Sequence, residues 1–108
     1  MNCETENVLI FTRGTTALHE FYTELPTDGL TTLYITYVQN DEVIVEKKLS
    51  DTTLEEGKIS VTLSQAETLS FVAGRAKCQI RLKYGSDAVF ATDEVACIVK
   101  DVLKEGEI

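Results

Sequence analysis

With 108 residues, 44% hydrophobic and 26% charged, the chain suffices for one folded domain with one modest core and is not of disordered composition. Its formal net charge of −8 argues against nucleic acid and anionic membrane surfaces as partners. Trp is absent and Pro26 is the single proline, so the core must be aliphatic with a few Phe and Tyr.

Met1 to Glu6 is a polar leader that lacks the charged-then-apolar layout of a signal segment. No run reaches the roughly 18 apolar residues of a membrane span, so synthesis and retention in a cytoplasm are expected. Val8 to Phe11 reads as a first strand, ended by a turn at Arg13-Gly14-Thr15-Thr16. Ala17 to Leu25 alternates, with Ala17, His19, Phe21 and Thr23 on one face and Leu18, Glu20 and Tyr22 on the other. Pro26-Thr27-Asp28-Gly29 is a turn.

Leu33, Ile35 and Tyr37 alternate with Tyr34, Thr36 and Val38 in a third strand, and Asn40-Asp41 reverses the chain. A two-residue loop there sets Ile35 against Glu46. A three-residue loop sets Tyr37 against Val45 and Leu33 against Leu49, which buries more apolar surface and is the preferred register. Ser50 to Gly57 reads as a polar connection holding Leu54.

Gly57 to Tyr84 is the most informative stretch. Ile59, Val61 and Leu63 alternate with Lys58, Ser60 and Thr62. Ser64-Gln65-Ala66-Glu67 then forms a capping box, opening a helical turn near residues 64–71 that stops at Gly74. Ala76, Cys78, Ile80, Leu82 and Tyr84 alternate with Arg75, Lys77, Gln79, Arg81 and Lys83. Strand, helical turn, strand carries a chain from one layer of a sandwich to the other. Gly85-Ser86-Asp87 is a hairpin turn, and a last strand starts at Val89 and runs through Val95, Cys97 and Val99. Residues 95–103 also fit a helical stripe, but their β-branched content favours strand. Residues 104–108 form a polar tail. The whole, residues 1–108, reads as one all-β domain: an immunoglobulin-like antiparallel β-sandwich of about seven strands with one short helical turn.

No residue set announces catalysis. His19 is the only histidine, and its place in an alternating strand suits a partly buried packing role with one hydrogen-bond partner. The acidic pairs Asp41-Glu42, Glu55-Glu56 and Asp93-Glu94 fall at turns, where carboxylates are solvated. Asp51 to Gly57 lacks the alternating acids of a calcium loop. Cys78 and Cys97 lie on apolar faces and read as reduced core thiols, while Cys3 sits in the leader; no metal-type spacing occurs. No cofactor is expected. The one sharp surface feature is the stripe Arg75, Lys77, Arg81 and Lys83, either a charged outer face that discourages aggregation or a docking face for an acidic partner, another copy included. Tyr34, Tyr22 and Ile44 are candidates for an outward apolar patch.

Ile10-Phe11-Thr12-Arg13-Gly14-Thr15-Thr16 resembles the opening of the N-terminal domain of phage baseplate upper proteins: a strand, an Arg-Gly-polar-Thr turn, an alternating strand. Gly57 to Thr68 resembles that family's Gly-led strand entering a Leu-Thr-x-Glu-Glu-Thr-like helical turn. Short prophage proteins of Gram-positive bacteria also carry a strand similar to Cys78-Gln79-Ile80-Arg81-Leu82 and a tail similar to Leu103-Lys104-Glu105-Gly106. The resemblance implies a non-enzymatic structural protein of a phage or prophage tail or baseplate, cytoplasmic on synthesis and then in the virion. Its implied partners are other tail proteins, with homo-oligomers possible in principle and no family catalytic residue to carry over. No fibre or receptor-binding extension follows, so direct host recognition is not expected. The alternative is a carbohydrate- or ligand-binding sandwich using Tyr22, Tyr34 and Tyr37, and a third reading is a small hydrolase built on His19.

Overall fold

The computed structural model describes residues 8–108; the leader and Cys3 lie outside them. Alternation produces the strands where it was expected. β1 (Val8–Thr12) and β2 (Ala17–Tyr22) are joined through Gly14, whose φ of 79° is open to glycine at no steric cost. β3 (Leu30–Gln39) and β4 (Glu42–Lys48) form a hairpin. β5 (Thr52–Glu55) and β6 (Lys58–Leu63) form another. Then come α1 (Gln65–Leu69), β7 (Gly74–Tyr84), β8 (Val89–Ala91) and β9 (Val95–Lys100).

Two sheets face each other, as an all-β sandwich requires. The larger runs β1-β9-β7-β3-β4, with β8 pairing β7 beyond the end of β9; the smaller runs β2-β6-β5. Leu33, Ile35, Tyr37, Ile80 and Leu82 of the larger sheet meet Phe21, Ile59, Val61 and Leu63 of the smaller in one core. Each such side chain contributes about 1.5–3 kcal/mol by leaving water. β6 and β7 lie in different sheets, so α1 is the crossover that the capping box foretold. Ser64 Oγ accepts from the Glu67 amide at 3.2 Å, and Glu67 Oε1 accepts from the Ser64 amide at 2.9 Å.

Five expectations are corrected. The strand count is nine among the described residues rather than seven. The connection 50–57 is a 3₁₀ turn, Leu49–Asp51, followed by β5, because Leu54 pairs with Ile59 and tucks its side chain toward the core. Val89 to Val99 is two strands, since Thr92 breaks the run: its Oγ1 accepts from the Ile80 amide at 3.1 Å and its own amide donates to Ile80 O at 2.9 Å. The helix ends at Leu69, not Gly74; Gly74, with φ of 136°, opens β7. The sandwich is not wholly antiparallel, because β1 pairs β9 in parallel.

The β3–β4 register combines both sequence alternatives. Asn40 and Asp41 (φ 54° and 65°) make a two-residue turn that pairs Gln39 with Glu42. A bulge at Ile44 then shifts the ladder by one, so Tyr37 meets Val45 as preferred.

Candidate functional site

β7 is the spine of the larger sheet, and its alternation sends Cys78, Ile80 and Leu82 inward while Arg75, Lys77, Arg81 and Lys83 point out. The sequence-predicted stripe therefore stands together on one open face. Cross-strand pairing enlarges it. Lys48 of β4 and Arg81 of β7 both pair with Tyr34 of β3, placing these three side chains in one row. Lys100 of β9 shares the outward side with Arg75. Lys48, Arg75, Lys77, Arg81, Lys83 and Lys100 are six of the ten Lys and Arg in the chain. Lys77 approaches Glu94 at 3.6 Å and Lys83 approaches Asp87 at 3.9 Å, whereas Lys48, Arg75, Arg81 and Lys100 have no ion pair among the described residues.

The remaining cations are mostly consumed inside the molecule. Lys47 pairs with Glu67 at 2.8 Å and Lys58 with Glu20 and Glu55 at 3.4 and 3.3 Å. Burial alone would raise the Glu67 carboxyl, but Lys47 and the Ser64 amide outweigh it and hold it below the ordinary range. Arg13 is a hub the sequence reading took only for a turn residue. Its Nε donates to Phe71 O at 2.8 Å, its Nη2 to Leu69 O, and its Nη1 to Asp101 at 2.7 Å and Glu105 at 3.1 Å. Asp101 is held below its usual range by the Val102 amide and by Arg13.

Beside the cations lies an apolar patch that the sequence reading missed. Ile10 pairs with Ile98, and Ile98 with Arg75; Val8 pairs with Ala96, and Ala96 with Lys77. Ile10 and Ile98 are 58% and 39% exposed. The alternation of β1 was visible, but only its pairing with β9 makes the patch.

The three tyrosines do not gather. Tyr37 is fully buried, Tyr34 faces out from the larger sheet, and Tyr22 faces out from the smaller. Ile44 sits at the bulge and packs toward the core. The weak calcium candidate is otherwise engaged: Asp51 Oδ2 accepts from the Lys48 amide at 2.9 Å, and Glu55 pairs with Lys58. Among the described residues no three His, Cys, Asp or Glu come together as a metal-holding group.

His19 is 4% exposed, and its Nδ1 lies 2.7 Å from Tyr37 Oη. Its ring packs against Phe11, Tyr37 and Phe21 with centroids 5.1, 5.6 and 6.5 Å away. Nε2 is buried without a partner among the described residues. Donation from Tyr37 O–H to Nδ1 leaves one orphan group, the Nε2–H; the other tautomer leaves two, so we assign the first. Burial lowers the His19 pKa to about 4 and raises that of Tyr37. The hydroxyl at this imidazole is the buried Tyr37 phenol, and no Ser, Thr or Cys side chain hydrogen-bonds to it among the described residues. Cys78 and Cys97 are buried and free; contact with the Cys97 thiol, together with burial, pushes Cys78 up, so it is a packing group.

One end of the sandwich carries a cleft of about 450 Å³, lined by Thr23, Glu24, Leu25, Phe90, Ala91, Thr92 and Asp93. Phe90 is 44% exposed and packs edge-on against Tyr84. No helix among the described residues is long and apolar enough to cross a membrane.

No family model and no curated protein matches the chain. Solved structures do. CopC from Methylosinus trichosporium OB3b is similar over 94% of this chain and 92% of that one, with a TM-score of 0.57 and 7% identity. A candidate glycoside hydrolase from Bacteroides vulgatus ATCC 8482 is similar over 89% of this chain and 17% of that one, with a TM-score of 0.51 and 14% identity. At such identities the likeness is one of fold. The shared property is the β-sandwich.

Proposed function

We propose that the chain is a non-catalytic protein-interaction module that docks an acidic protein partner on the outer face of its larger sheet. The observation that carries this reading is the segregation of charge. A chain of net charge −8 places six of its ten cations on one sheet face and leaves four of those six without an ion pair among the described residues. Opposed charge across such a contact steers encounter and fixes register. The setting proposed is a phage or prophage tail or baseplate, with other tail proteins as partners. That setting is supported by the resemblance of Ile10–Thr16 and Gly57–Thr68 to baseplate upper proteins and by no comparison with known proteins. A pull-down against neighbouring tail proteins tests both parts. Reversing Arg75, Lys77, Arg81 and Lys83 to Glu is expected to abolish capture. Full retention after that reversal removes the face, and absence of the protein from purified particles by mass spectrometry removes the virion setting.

A further inference from the structure

We infer that a partner of the β1–β9–β7 part of this face is the acidic, cleft-bearing end of a second copy of the same chain. The inference rests on the docking reading above and names its occupant.

The two surfaces match in chemistry. On the face, Ile10, Ile98 and Arg75 form one cross-strand row, and Lys100 lies next to it. This is an aliphatic patch rimmed by cations that lack ion pairs among the described residues. At the far end of the sandwich, three loops are tied together: Thr23 N donates to Gly57 O at 3.0 Å, Gly85 N to Gly29 O at 3.0 Å, and Thr27 Oγ1 to Glu55 O at 3.2 Å. Exposed Phe90 stands in the cleft there, with Glu24 and Asp93 in the same lining and Asp28 on the adjoining loop. Glu24, Asp28 and Asp93 also have no ion pair among the described residues. An aromatic flanked by carboxylates is what a cation-rimmed aliphatic patch accepts. The net charge of −8 does not prevent the contact, because repulsion between whole molecules is screened beyond about 8 Å at physiological ionic strength while the facing pairs are closer than that.

The patches occupy different parts of the molecule, 47 Å long in its greatest extent. The contact is therefore heterologous, each copy giving one surface and receiving the other. Such contacts build rings when the rotation closes and filaments when it does not.

Sedimentation velocity on the whole chain tests this. The wild type is expected to gain mass with concentration at physiological salt and to lose it at about 1 M salt, where the screening length falls to about 3 Å. R75E/K100E (the face) and E24K/D93K (the cleft end) are each expected to weaken association about tenfold or more. An equimolar mixture of the two is expected to associate again, since each retains the half that the other lacks. These positions are exposed, and thermal unfolding of each variant checks that it is folded. Should one fail to fold, R75Q and E24Q carry the same test in milder form. A wild type that stays monomeric at every concentration overturns the inference, as does association that both reversals leave intact. A monomer that still captures an acidic tail protein through Arg75, Lys77, Arg81 and Lys83 removes the second copy and leaves the docking reading standing.

Discussion

The two ends of the sandwich treat their polar groups in opposite ways. Around α1 the buried and half-buried polar groups are used internally, while Arg75 and Lys100, on the outer sheet face nearby, are left without ion pairs among the described residues. Arg13 holds the carbonyls of Leu69 and Phe71, and buried Thr68 accepts from Gly14 N at 3.0 Å while donating to Thr15 O at 2.8 Å. Gln39 brackets the α1–β7 connection, donating to Val72 O and accepting from Val72 N, both at 2.8 Å. At the cleft end Glu24, Asp28 and Asp93 answer to no cation among the described residues, and Phe90 is open to water. A saturated end specifies the fold; an unsaturated end is available to something outside it. The lesson is to look for function where polar groups are left over, not where they are most interconnected.

Substitutions that break this contrast should differ in size. The largest effect belongs to Phe71→Ala, which empties a fully buried site just after α1, against Phe11 and Tyr37. A loss of about 3–5 kcal/mol is expected by denaturant unfolding; a loss below about 1 kcal/mol would show that the α1–β7 connection is not seated on the core. Next comes acid. The folded state keeps His19 neutral down to about pH 4, while the unfolded chain protonates it near pH 6.5. In that window the unfolded state binds more protons, so stability falls as pH drops, by about 3 kcal/mol once pH is below both values. His19→Leu should lose this slope, so the difference between wild type and variant, followed against pH, should show it; parallel curves would contradict the assignment. Smaller still, Ser64→Ala removes the cap that starts α1 and is expected to cost about 1 kcal/mol. At the cleft end Glu24→Gln should move stability by no more than about 0.5 kcal/mol. A larger loss would mean that Glu24 has an internal partner after all, and the contrast between the ends would narrow.

Local signals were legible in the chain and distant ones were not. Ser64 and Glu67 are three residues apart, so the capping box and its helix could be read directly. The same holds for the alternation of β6 and β7, for the turn at Asn40-Asp41 and for the packing role of His19. β5 escaped notice because Leu54 is its one apolar residue, and only pairing with Ile59 makes it a strand. The break at Thr92 depends on a side chain reaching Ile80 of another strand. Of the candidate face, Arg75, Lys77, Arg81 and Lys83 were visible because they alternate within one strand. Lys48, Lys100 and the Ile10–Ile98 patch required the strand order, which no local pattern encodes.

The parallel pairing of β1 with β9 sets the timetable of folding. Among the described residues, β9 is the one strand that β1 hydrogen-bonds. During synthesis, Val8 to Thr12 leaves the ribosome before Val95 to Lys100 and must remain unpaired with it until that segment has emerged. The larger sheet thus closes only once β9 has been made, by a pairing of strands far apart in the chain, and that closure is slow by nature. Any truncation that removes β9 would orphan the first strand as well, exposing the aliphatic edge of the sheet to whatever else can pair with it.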